Sequence, residues 1–184
     1  LDRLLSQGKE YIFISNIDNL GASINLKLFY EIVCTDREMC MEVTKRERQD
    51  ATGGLLFEYN DKPKLLEQRW VPVREWESLM SKSKSSMFHT NNLWVNLRAL
   101  KRQVSRGIES EILVRDVEVK NLTAIQLETA AGSAIQQFEN SLVCIVSRDR
   151  FLPVKTTDDL FGIQSDVFTV KHGQLFSREE RHAY

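Results

Sequence analysis

Short apolar runs that end in polar residues alternate along this chain with stretches of helical periodicity, an order that points to the α/β class. "EYIFIS" (10–15) is the first such run and reads as a buried strand. In "NLGASINLKLFYEIV" that follows, Leu20, Ile24, Leu28, Phe29 and Ile32 fall near helical spacing, and "MCMEVT" (39–44) reads as a second strand. Strand, helix and strand in succession resemble a βαβ crossover, which implies parallel pairing. Further on, "LLFEY" and "LLEQRWV" flank "NDKPK" as a hairpin would, and "SKSKSS" (81–86) reads as a polar loop. "LWVNLRALKRQVSRG" carries the strongest helical pattern. Leu93, Leu97, Leu100 and Val104 recur along one face, and Gly107 is placed to cap the C-terminus. "EILVRDVEV" and "LVCIVS" (142–147) are strand-like, and "TAIQLETAAGSAIQQF" reads as a strand turning into an alanine-rich helix. "FLPVKTTDDLFGI" sets two threonines and two aspartates where a helix begins, which is favourable N-terminal chemistry.

At 184 residues the length suits one domain with a substantial core. A formal net charge of −1 supplies no overall positive field to gather nucleic acid or an anionic membrane surface. Cys34, Cys40 and Cys144 lack metal-ligand spacing and lie in apolar runs, so they read as structural thiols of a reducing compartment. "LDRLLSQGKE" is too charged for a signal peptide, and no apolar stretch reaches the roughly 18 residues of a membrane span. A soluble cytoplasmic protein is the expectation.

Several segments offer chemistry. In "FISNIDNLGA" the ordinary roles are turn bonds from Asn16 and Asn19 and a helix cap from Asp18. A carboxylate at the end of a strand is also where open α/β sheets hold a ligand, and one hard oxygen there suits Mg²⁺ carried by a phosphate. Gly53 and Gly54 mark a bend before a strand, or a place where backbone N–H groups approach a ligand. His89, Thr90, Asn91 and Asn92 precede the strongest helical pattern, so Thr90 or an asparagine is the expected N-cap. Asparagine amides there also suit sugar hydroxyls, while His89, alone, reads as a hydrogen-bonded structural residue. Glu128 sits between apolar residues and reads as buried and hydrogen-bonded. Lys155 precedes a helix N-terminus, where an added cation suits a phosphate, though a surface lysine is the commoner case. Nothing resembles a nucleophile elbow, and the basic positions within 98–106 read as a helix's solvated face.

Together and in order, "FISNIDNLGA", "MEVTKRERQDATGGLL", "FHTNNLWVNLRALKR", "IQLETAAGSAI" with "FENS", and "RFLPVKTTDDLFGIQSD" resemble the UTP–glucose-1-phosphate uridylyltransferase family. The likeness runs over about residues 8 to 170, far more than one motif. It implies a Rossmann-like nucleotidyltransferase domain with a mixed, mostly parallel sheet. It also implies the reaction of UTP with glucose 1-phosphate to give UDP-glucose and pyrophosphate, assisted by Mg²⁺, by in-line attack on the α-phosphorus. By the same resemblance Asp18 matches the magnesium-binding aspartate and, with Lys155, the catalytic pair. Asn16, Gly53, Gly54, Glu67, Asn91 and Lys155 match substrate-binding positions. His89 departs from the family, which usually has asparagine there.

The family's glycine-rich nucleotide loop and its C-terminal β-helix have no counterpart in this sequence. Residues 1–172 therefore correspond to the second half of a catalytic domain, and 173–184 to a divergent polar tail. The expectation is a segment that is inactive by itself, with unpaired strand edges, from a protein whose full length has room for an oligomer interface. The alternative is a truncated, non-catalytic paralogue that binds a sugar nucleotide weakly or serves as an interaction module.

Overall fold

A computed structural model describes residues 1–46, 54–59, 62–72, 74–76, 78, 87–110, 112–120 and 122–178. Gly53 and the expected "SKSKSS" loop lie outside these. Ten strands run in chain order: β1 Tyr11–Ile14, β2 Met39–Lys45, β3 Gly54–Tyr59, β4 Lys62–Glu67, β5 Met87–Asn96, β6 Ile112–Val119, β7 Leu122–Thr129, β8 Ser141–Ile145, β9 Phe168–Lys171 and β10 Gln174–Ser177. With them go helices α1 Asp2–Ser6, α2 Leu26–Cys34, α3 Leu97–Arg106 and α4 Thr157–Gln164. Among the described residues no helix is long and apolar enough to cross a membrane.

The main sheet has the order β4-β3-β5-β2-β8, with β1 also paired to β5. It is mixed, but the expectation of mostly parallel pairing fails. Among the described residues only β2 with β8 is parallel, and every strand beside β5 runs against it. The expected βαβ unit is present in a modified form. β1 and β2 share a direction, yet β5 lies between them and takes the hydrogen bonds of both. β2 is buried from Met39 to Thr44, as a strand flanked on both edges should be. Its side chains feed two apolar clusters, one with Leu93, Val95, Ile135 and Phe138, the other with Leu28, Ile32 and Trp94.

Two helix starts differ from the sequence-based expectation. α2 is capped by Asn25, whose Oδ1 accepts from Leu28 N at 3.0 Å, not by Asp18. Leu20 and Ile24 precede it and are exposed. α3 begins at Leu97 because Leu93–Asn96 complete β5, where Trp94 and Val95 are buried in the sheet. Its cap is Asn96, accepting from Arg98 N and Ala99 N, rather than a residue of 90–92. Gly107 ends the helix as expected, at φ 87°, while Val104 turns out exposed. The alanine-rich stretch is a 3₁₀ helix, Ala131–Gln137, packed on β4 and β2. Apolar residues remain uncovered on the β6–β7 hairpin, at Ile112, Val114, Leu122, Ile125 and Leu127, and on the outer face of α2.

Candidate functional site

The site is a gap in the sheet. β5 pairs with β3 through Met87 and Phe88, and with β1 through Leu93–Asn96. Residues 89–92 therefore have no described strand beside them on that edge. On the other edge the register jumps from Met41↔Leu93 to Val43↔His89, so β5 carries extra residues there as a bulge. Asn91 lies in the bulge with φ 60°, a left-handed conformation that asparagine tolerates better than most residues. The bulge turns Asn91 out of the pleat and into a cavity of about 430 Å³. Asn16, Glu67, His89, Asn91, Phe151 and Lys155 are among its walls.

Four residues singled out from the sequence thus arrive from four separate segments. Asn16 follows the end of β1, Glu67 closes β4, Asn91 sits on the β5 bulge, and Lys155 precedes α4. Gly54 opens β3 directly behind this wall. A Cβ on it would lie 2.7 Å from Leu65 Cδ1, 2.8 Å from His89 Cδ2 and 2.9 Å from Glu67 Oε1. Only glycine fits, so steric fit of the wall accounts for it without a backbone bond to a ligand. Glu128, expected to be buried, is half-exposed; it lines the cavity and accepts from Gln126 Nε2.

Asp18 is not itself a cavity wall, but its backbone is laced to the extended segment that leads to Lys155. Val154 N donates to Asp18 O at 2.9 Å, Leu20 N donates to Leu152 O at 3.1 Å, and Asn19 bridges Pro153. The Asp18 carboxylate is partly exposed and takes no hydrogen bond from the described residues. Among those residues no group of three or more His, Cys, Asp or Glu is assembled for a metal. A lone accessible carboxylate fits an ion that brings most of its oxygen ligands with it, as Mg²⁺ on a phosphate does, and not an all-protein cage.

A buried polar network that the sequence pattern did not flag holds these segments together. Glu42, fully buried in mid-β2, accepts from Arg150 Nε and Nη2, both at 2.7 Å, from Trp94 Nε1 at 2.8 Å and from Asn92 Nδ2 at 3.0 Å. Arg150 also donates to Ser23 Oγ and Ser23 O. Asn92 Oδ1 accepts from Ser15 Oγ and Asn19 Nδ2, and Asn19 Oδ1 accepts from Gly21 N and Leu152 N. One ion pair thereby ties the bulge, the turn after β1 and the extended segment toward Lys155. The available signal was Glu42 itself, a carboxylate inside an otherwise apolar strand. Such a group is retained only with strong partners. Gly21 completes the contact, because a Cβ there would lie 2.3 Å from Asp149 O.

At the other end of the cavity, α4 opens with a capping box. Lys155 N and Thr156 N both donate to Asp159 Oδ2 at 2.9 Å, and Asp159 N donates back to Thr156 Oγ1. The bond from Lys155 N, then those of Thr156, hold the Asp159 carboxyl below its ordinary pKa. The box fixes the backbone of Lys155 while its side chain stays exposed. Burial pushes the Cys40 and Cys144 thiols up, in keeping with structural cysteines.

The family model described as UTP–glucose-1-phosphate uridylyltransferase matches residues 1–184. A protein of that name from Astragalus penduliflorus is 45% identical over 182 residues, covering 98% of this chain and 39% of the relative. A probable UTP–glucose-1-phosphate uridylyltransferase from Schizosaccharomyces pombe is 43% identical over 180 residues, covering 95% of this chain and 36% of the relative. Among solved structures, a UDP-glucose phosphorylase from Trypanosoma brucei superposes with a TM-score of 0.86 at 33% identity, covering 99% of this chain and 41% of that one. A mutant UDP-glucose pyrophosphorylase from Leishmania major, in complex with UDP-glucose, superposes with a TM-score of 0.83 at 31% identity, covering 96% and 41%. The chain thus spans about two-fifths of the length of these proteins.

Proposed function

Since the chain belongs to the UTP–glucose-1-phosphate uridylyltransferase family, we propose that the gap in its sheet is the sugar-phosphate side of that enzyme's active site. In the whole protein, a cytoplasmic one on this reading, the reaction is UTP plus glucose 1-phosphate giving UDP-glucose and pyrophosphate. The observation that carries the proposal is the convergence of Asn16, Glu67, Asn91 and Lys155 on one cavity from four separate segments. A hexose needs neutral amides and a carboxylate for its hydroxyls, and its phosphate needs a cation. The wall supplies these in one place.

In the proposed reaction a phosphate oxygen of glucose 1-phosphate attacks the α-phosphorus of UTP in line, and pyrophosphate leaves. Both reactants are anions, so bringing them together is the main obstacle. Orientation and charge neutralisation are the levers that such a site offers. Glu67 and the Asn91 amide hold the hexose, and Asn16 fixes the reacting end. The Lys155 ammonium offsets the charge of the approaching phosphates. Asp18 is the residue we assign to Mg²⁺, which when bound would supply positive charge to neutralise the phosphates. The fold we assign is the Rossmann-like catalytic domain of the family, of which this chain forms part.

The test is calorimetric titration of the chain with glucose 1-phosphate. Asn91→Ala and Lys155→Met should each weaken binding at least tenfold without changing the circular dichroism spectrum. Unchanged affinity in both variants would overturn the site. A second assay supplies UTP, glucose 1-phosphate and Mg²⁺ to the isolated chain, which should form no UDP-glucose. Turnover that disappears in Asp18→Ala would contradict the assignment of this chain as one part of a catalytic site.

A further inference from the structure

On the cavity wall His89 is held in an unusual state for a buried imidazole. It is 4% exposed, its Nε2 lies 3.3 Å from Glu67 Oε1, and its Nδ1 has no hydrogen-bond partner among the described residues. Gln68 Oε1, in the next residue along the same wall, is likewise buried without a donor. Leaving a buried acceptor unpaired is costly, so an imidazole kept here needs a return from its other nitrogen. Two glycines lie beside the ring. The Cβ position of Gly54 is 2.8 Å from His89 Cδ2, and that of Gly132 is 3.9 Å from His89 Nδ1. The missing side chain of Gly54 therefore leaves room for the ring in the orientation that places Nε2 near Glu67.

We propose that His89 is a positioning residue, whose Nε2–H holds Oε1 of Glu67 so that the remaining carboxylate oxygen faces the cavity as an acceptor for hydroxyl groups of a hexose. This rests on the reading of the cavity as a sugar-phosphate site. A carboxylate on a flexible side chain presents two equivalent oxygens in many orientations. Pinned through one oxygen, it presents the other in a single direction, and the ordering is complete before the ligand arrives. The pairing also assigns the imidazole tautomer. A carboxylate accepts only, so on this proposal the proton between the two groups sits on Nε2.

Two measurements test this. In the first, long-range ¹H–¹⁵N spectra of the wild-type chain near neutral pH should show the proton of His89 on Nε2; a proton carried on Nδ1 alone would overturn the proposal without any variant. In the second, UDP-glucose is titrated into wild type, Glu67→Gln, His89→Gln and His89→Leu. His89→Gln retains a donor near the position of Nε2 and should bind within about threefold of wild type. His89→Leu removes the donor and should weaken binding about tenfold or more, approaching the loss in Glu67→Gln. Rescue by glutamine separates positioning from packing, because leucine fills the space as well as glutamine does. If His89→Leu binds like wild type, or His89→Gln is as weak as leucine, the positioning role is wrong while the site stands. If wild type and Glu67→Gln bind alike, or wild type does not bind at all, the reading of the cavity fails and the inference fails with it.

Discussion

Replacing Arg150 by methionine removes the cation that the structure pairs with Glu42, and the cost follows from the geometry. Glu42 is fully buried and would keep two neutral donors, Trp94 Nε1 and Asn92 Nδ2, while losing two charged ones at 2.7 Å. Two unit charges about 4 Å apart interact by about 4 kcal/mol at an effective dielectric constant of 20. Breaking a buried pair by removing one partner typically costs about 3–5 kcal/mol, on the order of the same figure. The bonds to Ser23 are also lost, but Ser23 is half-exposed and water replaces them. Against a total stability of roughly 5–15 kcal/mol, that is enough to unfold a large share of a marginal chain. Urea denaturation should show a lowered midpoint for Arg150→Met. The double variant Glu42→Gln with Arg150→Met should be more stable than Arg150→Met alone, because it leaves no buried charge. A cost below about 1 kcal/mol for Arg150→Met, or strict additivity of the two changes, would refute the account of the network as one coupled unit.

Other expectations follow from the same geometry. Gly21→Ala places a Cβ 2.3 Å from Asp149 O, a backbone atom with nowhere to move, and should cost about 3 kcal/mol, read as a fall in the denaturation midpoint. Gly54→Ala pushes on the side chains of Leu65, His89 and Glu67, which can shift where backbone cannot, so titration with glucose 1-phosphate should show weaker binding by about tenfold with a smaller loss of stability. The carboxyl of Asp159 is held below its ordinary value in the folded chain, so its contribution is complete above about pH 4 and is lost as pH falls through the depressed value. Amide protection factors at Lys155 and Thr156 should therefore fall as the pH drops through that value, and Asp159→Asn should remove that pH dependence. The uncovered apolar residues of the β6–β7 hairpin predict self-association that rises with concentration. Light scattering should fall on replacing Ile125 and Leu127 with threonine.

Much of the fold was legible because its signals are local. β1, β2, β8 and the β3–β4 hairpin follow from apolar runs and turn residues, and the start of α4 follows from Thr156 and Asp159. What was not legible depends on which strand lies beside which. Leu93 continues the helical spacing of Leu97 and Leu100, yet it belongs to β5, because β1 and β2 on either side claim its backbone. That burial overrides the periodicity, and Asn96, an asparagine inside the apparent helix, is the break. The antiparallel course of β5 between β1 and β2 is likewise a long-range fact that no single segment encodes. Asn16, Glu67, Asn91 and Lys155 were recognisable by resemblance. The bulge that aims Asn91 and the Glu42–Arg150 pair that holds the segments together required the packed structure.

On the proposed function, the sugar phosphate binds in the gap beside the β5 bulge. The most direct measurement is a ¹H–¹⁵N spectrum of the chain titrated with UDP-glucose. The amide signals of Asn16, Glu67, Asn91 and Lys155 should shift together, with one common dissociation constant. Shifts confined to a separate cavity of about 230 Å³ lined by Ser23, Arg150 and Gln174, or no saturable shift at any of the four, would contradict this.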